Sequence, residues 1–172
     1  MTLDRRALLR RWALAAGLAV ALGGAQPAHA QLDANTRAVL AYGLTLQRLE
    51  ACAAALQDVA TWMKQHPQEA SAMRSQPWSD TTLQGSAARL EKVPAIKAVL
   101  DKHALSGLDF ALGPLALTTS YTVVMAARQG VVMPADRVNA TAVATIQAHL
   151  VRVEQLMPTV YANLRRLRGE PP

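Results

Sequence analysis

Apolar residues recur three and four positions apart along most of this chain, which is the spacing of one face of a helix. The most regular example covers residues 139–167 and predicts a single long final helix, with Asn139 as its cap and a bend but no end at Pro158. The seam consists of Val143, Ile146, Leu150, Val153, Met157, Val160 and Leu164. No stretch shows the two-residue alternation of a strand, so the pattern predicts an all-α fold.

A second seam of the same spacing runs toward His66 and predicts a helix that stops before Pro67. Its members are Val39, Tyr42, Leu46, Leu49, Ala53, Leu56, Ala60 and Met63. Asp33 or Asn35 can cap this helix, and Gly43 can break it so that Thr45 caps a second segment. Two shorter helices are predicted over residues 67–74 and 81–92, the latter beginning at Ser79-Asp80.

The middle of the chain predicts a short helix from Pro94 to about Ala104 and then a long one capped by Ser106 and closed by Gly130. Residues 110–127 carry no charge, and Gly113-Pro114 within them predicts a kink. A helix without a charged side is surrounded either by other helices or by lipid. We expect it to be the buried central helix, because its apolar density is modest for a membrane span.

These elements predict a bundle of four main helices with short extra helices, in one domain over residues 31–168 followed by a disordered tail at 169–172. Residues 1–30 have the layout of a signal peptide. A segment with four arginines precedes a short apolar run, and Ala28-His29-Ala30 forms a cleavage signal. We expect cleavage after Ala30 and a periplasmic or secreted protein. An uncleaved anchor is the alternative, and Arg5-Arg6 leaves export by the twin-arginine route open.

Charge changes this picture little once the signal peptide is set aside. Removal of 30 of the 172 residues lowers the formal net charge from +6 to about +3, and the remaining cations are spread along the chain. Nucleic-acid binding therefore loses its main support. One local cluster remains at Arg165, Arg166 and Arg168, where cations favour the negative end of a helix, the alternative being a site for an anionic partner.

Candidate chemistry is sparse, and the sequence nominates no catalytic, cofactor-binding or metal-ligating residue. His66, His103 and His149 lie on three different segments without the four-residue spacing of paired metal ligands, so surface or capping positions are expected. The acidic side chains are expected on solvated helix faces; they include Glu50, Asp58, Glu91 and Asp101. The single cysteine, Cys52, is expected to be a small buried residue, with a disulfide-linked dimer as the alternative.

Two features keep a ligand carrier open as the alternative function. The methionines Met63, Met125 and Met157, together with one histidine, are the residue types that hold a b-type haem in a helical bundle. Thr118 and Thr122 share a face of the central helix near Tyr121, and hydroxyls on one face can line an internal pocket. Methionine is also ordinary core filler, and helical threonines bond readily to carbonyls of the preceding turn.

Residues 90–110 carry a pattern that resembles one found in a family of bacterial proteins. The segment Leu90-Glu91-Lys92-Val93-Pro94-x-Ile96, followed by His103-Ala104-Leu105-Ser106-x-x-Asp109-Phe110, is similar to a family of small exported bacterial helical proteins without an assigned activity. Tyr42-x-Leu44-Thr45 and Asn139 also fit it, whereas Ala104 stands where glycine is usual and Pro114 interrupts the long helix. The resemblance implies an exported helical fold and no particular chemistry.

The sequence as a whole favours a non-enzymatic binding or protein-interaction module of the cell envelope, whose partner is an envelope protein or a second copy. We expect no membrane span after signal cleavage. An exposed apolar groove along the last seam would favour this function, and a closed cavity beside Thr118, Thr122 and Tyr121 would favour the carrier.

Overall fold

The structure, a computed structural model, describes residues 27–75 and 82–170 of the chain, and the regular structure in these ranges is entirely helical. The α-helices are α1 (Pro27–Ala41), α2 (Leu46–Gln65), α3 (Pro67–Ser75), α4 (Leu83–Glu91), α5 (Pro94–Lys102), α6 (Gly107–Arg128), α7 (Ala140–Ala148) and α8 (Leu150–Leu167). A 3-10 turn, Ala135–Arg137, lies between α6 and α7. The packing described below lies within the compact unit that begins at Arg37.

The break between α1 and α2 is where the sequence placed it. Helix α1 ends at Ala41, and the Thr45 side chain accepts a 3.2 Å hydrogen bond from the amide of Arg48 to cap α2. The start of α1 differs from expectation, because the helix begins at Pro27 and neither Asp33 nor Asn35 is its cap. Most of the expected signal peptide, residues 1–26, lies outside the described residues.

Helix α6 starts with a complete capping box. The Ser106 hydroxyl accepts a 3.0 Å hydrogen bond from the amide of Asp109, and the Asp109 carboxylate accepts one of 3.2 Å from the amide of Ser106. Asn139 caps α7 in the expected way, accepting a 3.0 Å hydrogen bond from Ala142. Helix α4 is capped by Thr82, two residues after the predicted start at Ser79-Asp80, which lies outside the described residues.

The predicted final helix is two helices, and this corrects the sequence reading. Helix α7 stops at Ala148, and His149, with φ −123° and ψ 29°, separates it from α8. The apolar seam continues through this break, because the residues on both sides still face the core: Ile146 and Val153 are fully buried. Pro158 lies inside α8 without ending it, as predicted.

The core forms where α2 is surrounded by α5, α6 and α8. The seam predicted for α2 is confirmed, with Leu49, Leu56 and Met63 among its buried members. The predicted seam on α8 is also used internally, since Val153, Met157 and Val160 are buried against this centre. It therefore forms no exposed groove.

Helix α6 packs against α2, α4 and α7 and buries residues along its whole length, from Phe110 to Val124. Among the described helices it is the one long and apolar enough to cross a membrane by length and composition. A core helix of a globular domain meets the same criteria. The structure places it in the core that the sequence predicted for it.

Three helices end in the same closed turn, with a left-handed residue just past the cap. Gly130 (φ 80°) and Gly169 (φ 74°) occupy this position after α6 and α8, and Ala104 (φ 53°) occupies it after α5. After α8, the amides of Gly169 and Glu170 bond back to the carbonyls of Arg166 and Arg165, each at 3.0 Å. These two residues of the predicted tail are thus an ordered helix end.

Candidate functional site

Asp109, in the first turn of α6, contacts its own helix cap, Ser106, and two side chains at or just before the start of α2. Its carboxylate accepts a 2.6 Å hydrogen bond from the Ser106 hydroxyl and a 3.0 Å hydrogen bond from the Tyr42 phenol. The Arg48 guanidinium lies 3.8 Å from the same carboxylate and 5.7 Å from the centre of the Tyr42 ring. This Asp109 cluster joins the turn before α2 to the N-terminus of α6.

The electrostatics of the cluster keep Asp109 ionised and Tyr42 protonated. Partial burial alone would raise the pKa of Asp109, but the hydrogen bonds from Ser106 and Tyr42 outweigh it and lower the pKa below its usual value. Burial raises the pKa of Tyr42, and the neighbouring charge of Asp109 adds to this effect. The pair is a stable donor and acceptor, and neither group titrates near neutral pH.

Cys52 packs beneath this cluster and is 1% exposed, as the sequence predicted for a small buried residue. Its Sγ lies 3.7 Å from the carbonyl oxygen of Asp109 and directly against Gly113 of α6. Burial, followed by the charge of Asp109, raises the pKa of the thiol to about 12. A buried protonated thiol is a poor nucleophile, so the geometry assigns Cys52 to packing.

A second polar cluster joins α2 to the end of α5 through Asp58. Its Oδ2 accepts hydrogen bonds from Lys102 Nζ at 2.8 Å and from His103 Nε2 at 2.9 Å. The hydrogen bond from Lys102, and then that from His103, lowers the pKa of Asp58. A carboxylate and an imidazole are two of the three members of a catalytic triad, but the described residues bring no nucleophile within hydrogen-bond distance of His103.

Sequence reasoning placed the acidic side chains on solvated helix faces, and Glu91 and Asp101 are indeed exposed, while Glu50 and Asp58 are partly exposed. It did not foresee their partners on other segments: Glu50 binds Arg152 of α8 at 2.7 Å, and Glu91 accepts a 2.6 Å hydrogen bond from the amide of Gly107. Asp101 pairs with Lys97 within α5. Four-residue spacing signals the last contact, whereas the other contacts depend on how distant helices cross and leave no local pattern.

His66 and His149 lie at the surface, as the sequence predicted, although the helix break at His149 was not predicted. His66 is exposed, closes α2, stacks on Trp62 at 5.4 Å between ring centroids and bonds the carbonyl oxygen of Trp62 at 3.0 Å. His149 is exposed in the turn between α7 and α8. Within the described residues, no three His, Cys, Asp or Glu side chains come together in a way that could hold a metal ion.

The hydroxyls of the central helix bond to their own backbone. Thr118 donates to the carbonyl of Pro114 at 2.8 Å, and Thr122 donates to the carbonyl of Thr118 at 2.8 Å. A cavity of about 10 Å³ lies on the neighbouring face beside Ser120 and Asn139, which is room for about one water molecule. The residues that border this cavity do not include Thr118 or Thr122.

The exposed apolar surface is concentrated in the segment between α6 and α7. Val131, Val132 and Met133 follow one another there with exposed fractions of 51%, 90% and 40%. We call these residues the apolar loop. Gly130 and Pro134 flank it, and its neighbours Gln129 and Ala135 carry no charge.

A shallow depression of about 390 Å³ lies at the junction of α7 and α8. His149, Leu150, Val151 and Arg152 border it, and Val151 is 71% exposed. Because Val151 is the other strongly exposed valine among the described residues, it offers a natural comparison for the apolar loop. The depression collects no convergent charged groups besides Arg152.

Comparisons with known proteins identified no relative of this chain. The chain matched no protein-family profile, no curated protein and no solved structure.

Proposed function

We propose that this protein is exported to the periplasm or beyond, where it is a non-enzymatic binding module that contacts another envelope protein through the apolar loop. The observation that carries the proposal is the exposure of three consecutive large apolar residues, of which Val132 is 90% exposed. Contiguous exposed apolar surface is a common mark of a protein contact, whereas isolated exposed apolar residues are ordinary.

The loop is well placed for such a contact because both of its ends are fixed. The amides of Gly130 and Val131 bond to the carbonyls of Ala127 and Ala126, each at 3.0 Å, which closes the end of α6. Pro134 then restricts the backbone before the 3-10 turn at Ala135–Arg137. A loop held at both ends loses less conformational freedom when it binds.

The export part of the proposal rests on the sequence of residues 1–30 and on the resemblance to small exported helical proteins. The fold part is that of a bundle of four main helices, formed by α2, α4, α6 and α7–α8, with α3 and α5 as short additions. Packing of α2 on α6 and α8, and of α6 on α4 and α7, supports this arrangement.

The two polar clusters fit a binding role, because each joins two helices within the fold. Cys52 is buried and protonated, and the Asp109 carboxylate is used by Ser106 and Tyr42. The carrier alternative gains no specific support, since the Thr118 and Thr122 hydroxyls are used within α6.

Site-specific photo-crosslinking in expressing cells tests this function. A photoreactive residue at position 132 should capture one discrete envelope protein, whereas the same residue at the exposed position 151 should not. A product of twice the chain mass at position 132 would identify a second copy as the partner in place of another protein. Equal labelling from both positions, or no product from position 132, would contradict a contact through the apolar loop. Fractionation of the same cells tests export separately.

A further inference from the structure

The C-termini of α3 and α8 converge and bring arginines from two distant parts of the chain together. Arg74 lies in the last turn of α3 and contacts Gly169. A Cβ built on Gly169 would lie 3.7 Å from Arg74 Nε and 3.8 Å from Arg74 Cδ, which is ordinary van der Waals distance. Gly169 follows the last turn of α8, which carries Arg165 and Arg166, and Arg168 caps that helix. The sequence showed only the second group.

We define the C-terminal arginine cluster as Arg74, Arg165, Arg166 and Arg168 with Glu170. Glu170 is shared between Arg165 at 3.6 Å and Arg168 at 3.8 Å, and each of these side chains is about half exposed. Ion pairs of this length and exposure bind weakly. The five residues therefore keep a formal charge of +3 at the protein surface.

Helix-end electrostatics explain only part of this charge. Each helix C-terminus carries roughly half a negative charge, so two ends offset about one of the three positive charges. Among the described residues the cluster therefore keeps a net positive charge at the protein surface. Like charges held together repel one another, and an anionic partner relieves that repulsion.

One member of the cluster is anchored by a buried side chain. Asn163 is 1% exposed, and its amide donates a 2.9 Å hydrogen bond to Gln57 of α2. Its carbonyl oxygen accepts a 3.2 Å hydrogen bond from Arg166 Nη1. The packing of α8 on α2 thus fixes one guanidinium, while Arg168 is about half exposed beside Glu170.

We propose that the C-terminal arginine cluster docks the protein on the anionic phospholipid headgroups of a bilayer. Guanidinium groups match phosphate oxygens in charge and in the geometry of their paired N–H donors. Protein partners ordinarily supply a contact with an apolar centre, and none of the exposed large apolar side chains of the described residues belongs to this cluster. The choice of lipid over nucleic acid rests on the proposed export. An exported protein meets the anionic headgroups of the envelope membranes, whereas nucleic acid stays in the cytoplasm.

Vesicle co-sedimentation at low salt tests the proposal with two variants of equal charge. Arg74→Gln/Arg168→Gln removes two cations from the cluster, and Arg128→Gln/Arg152→Gln removes two from the region where α6 and α2 pair with the first turns of α8. Vesicles contain equal parts of phosphatidylglycerol and phosphatidylcholine, with phosphatidylcholine alone as the neutral comparison. All proteins carry the same N-terminus, so any affinity of that segment is common to them.

The wild-type protein should bind the anionic vesicles and not the neutral ones, with an affinity that falls as salt is added. Each arginine near such a surface contributes about a 5-fold factor, so the cluster variant should bind roughly 25-fold more weakly. The Arg128→Gln/Arg152→Gln variant should bind more tightly than the cluster variant, because the two arginines that it lacks are not part of the cluster that contacts the vesicle.

Equal losses in the two variants would overturn the assignment to the cluster. Equal binding to neutral vesicles would overturn an electrostatic contact. Displacement by inorganic phosphate, at an ionic strength where chloride has no effect, would identify a phosphate-ion site in place of a lipid surface. Tighter binding to DNA through the same arginines would overturn the choice of lipid. These outcomes are independent of crosslinking at position 132, so either proposal can fail alone.

Discussion

The Tyr42 phenol donates a 3.0 Å hydrogen bond to the Asp109 carboxylate across 67 residues of sequence. Asp109 is at the same time the third residue of α6 and closes its capping box with Ser106, so one carboxylate fixes both a helix start and its orientation toward the turn before α2. Removal of either partner should therefore affect more than a local turn.

Tyr42→Phe should lower the free energy of unfolding by about 1–2 kcal/mol, because it leaves a partly buried carboxylate without one of its donors. Urea unfolding monitored by circular dichroism measures this change. A double-mutant cycle with Asp109→Asn should give a coupling energy of about 1 kcal/mol. Simple additivity of the two losses would show that the hydrogen bond contributes nothing of its own.

Gly113→Ala should destabilise the protein by about 1–3 kcal/mol through overpacking. The new Cβ would lie 2.5 Å from Cys52 Sγ, closer than real Cβ contacts allow. Adding Cys52→Ala should restore most of the loss, since it removes the sulfur that the methyl group meets.

Gly43→Ala is the matched control for this pair, because nothing lies within 4 Å of the Cβ it would add. Its thermal midpoint should stay close to that of the wild type. A Gly113→Ala protein that remains stable with Cys52 intact would show that α2 and α6 can separate at this contact without loss.

Ala104→Gly should raise the free energy of unfolding by about 1 kcal/mol. Ala104 has φ 53°, a left-handed conformation that strains any residue with a Cβ, and glycine removes this strain. Ala98→Gly, at an exposed position inside α5, should lower stability by about 1 kcal/mol through loss of helix propensity. Loss of stability in both variants would contradict the strain at Ala104.

Asp58→Asn should remove part of the acid sensitivity of the protein. The hydrogen bonds from Lys102 and His103 hold the pKa of Asp58 below that of the unfolded chain, about 3.9. The stability this gives is fully present above the unfolded pKa and is lost as the pH falls through the lower folded pKa. Chemical unfolding at pH 7 and along an acid series measures the difference between variant and wild type.

At pH 7 the Asp58→Asn variant should be less stable than the wild type by about 0.5–1 kcal/mol, since the contacts of Asp58 are partly exposed. The two proteins should converge as the pH falls through the lowered folded pKa of Asp58. A constant difference throughout the acid series would mean that the carboxylate charge is not what Lys102 and His103 stabilise.

Local signals in the sequence located most helix boundaries, because capping chemistry acts over three or four residues. Thr45, Ser106 and Asn139 cap the helices as predicted, and Gly130 closes α6. The break at His149 was missed because the apolar seam keeps its period through it. Periodicity records which side faces the core, and it carries no information about whether the backbone hydrogen bonds continue.

The polar clusters could not be predicted from local sequence patterns, because their members are far apart in the chain. Asp58 and His103 are 45 residues apart, and their contact depends on how α2 crosses the end of α5. Neither composition nor local spacing predicts the way in which two helices cross. The contact of Arg74 with Gly169 has the same origin, which is why the sequence showed the three C-terminal arginines of the cluster but not Arg74.

Asn139 has a consequence for the order in which the chain can fold. Its side-chain amide donates hydrogen bonds to the carbonyls of Val39 and Tyr42 at 3.0 and 2.8 Å, and Thr145 donates one of 3.0 Å to the carbonyl of Leu44. The turn that begins α2 is thus completed by residues synthesised about a hundred positions later, and contacts this distant slow folding. During synthesis the side of α2 that packs on α8 stays uncovered until the last helix leaves the ribosome, even after α5 and α6 have formed.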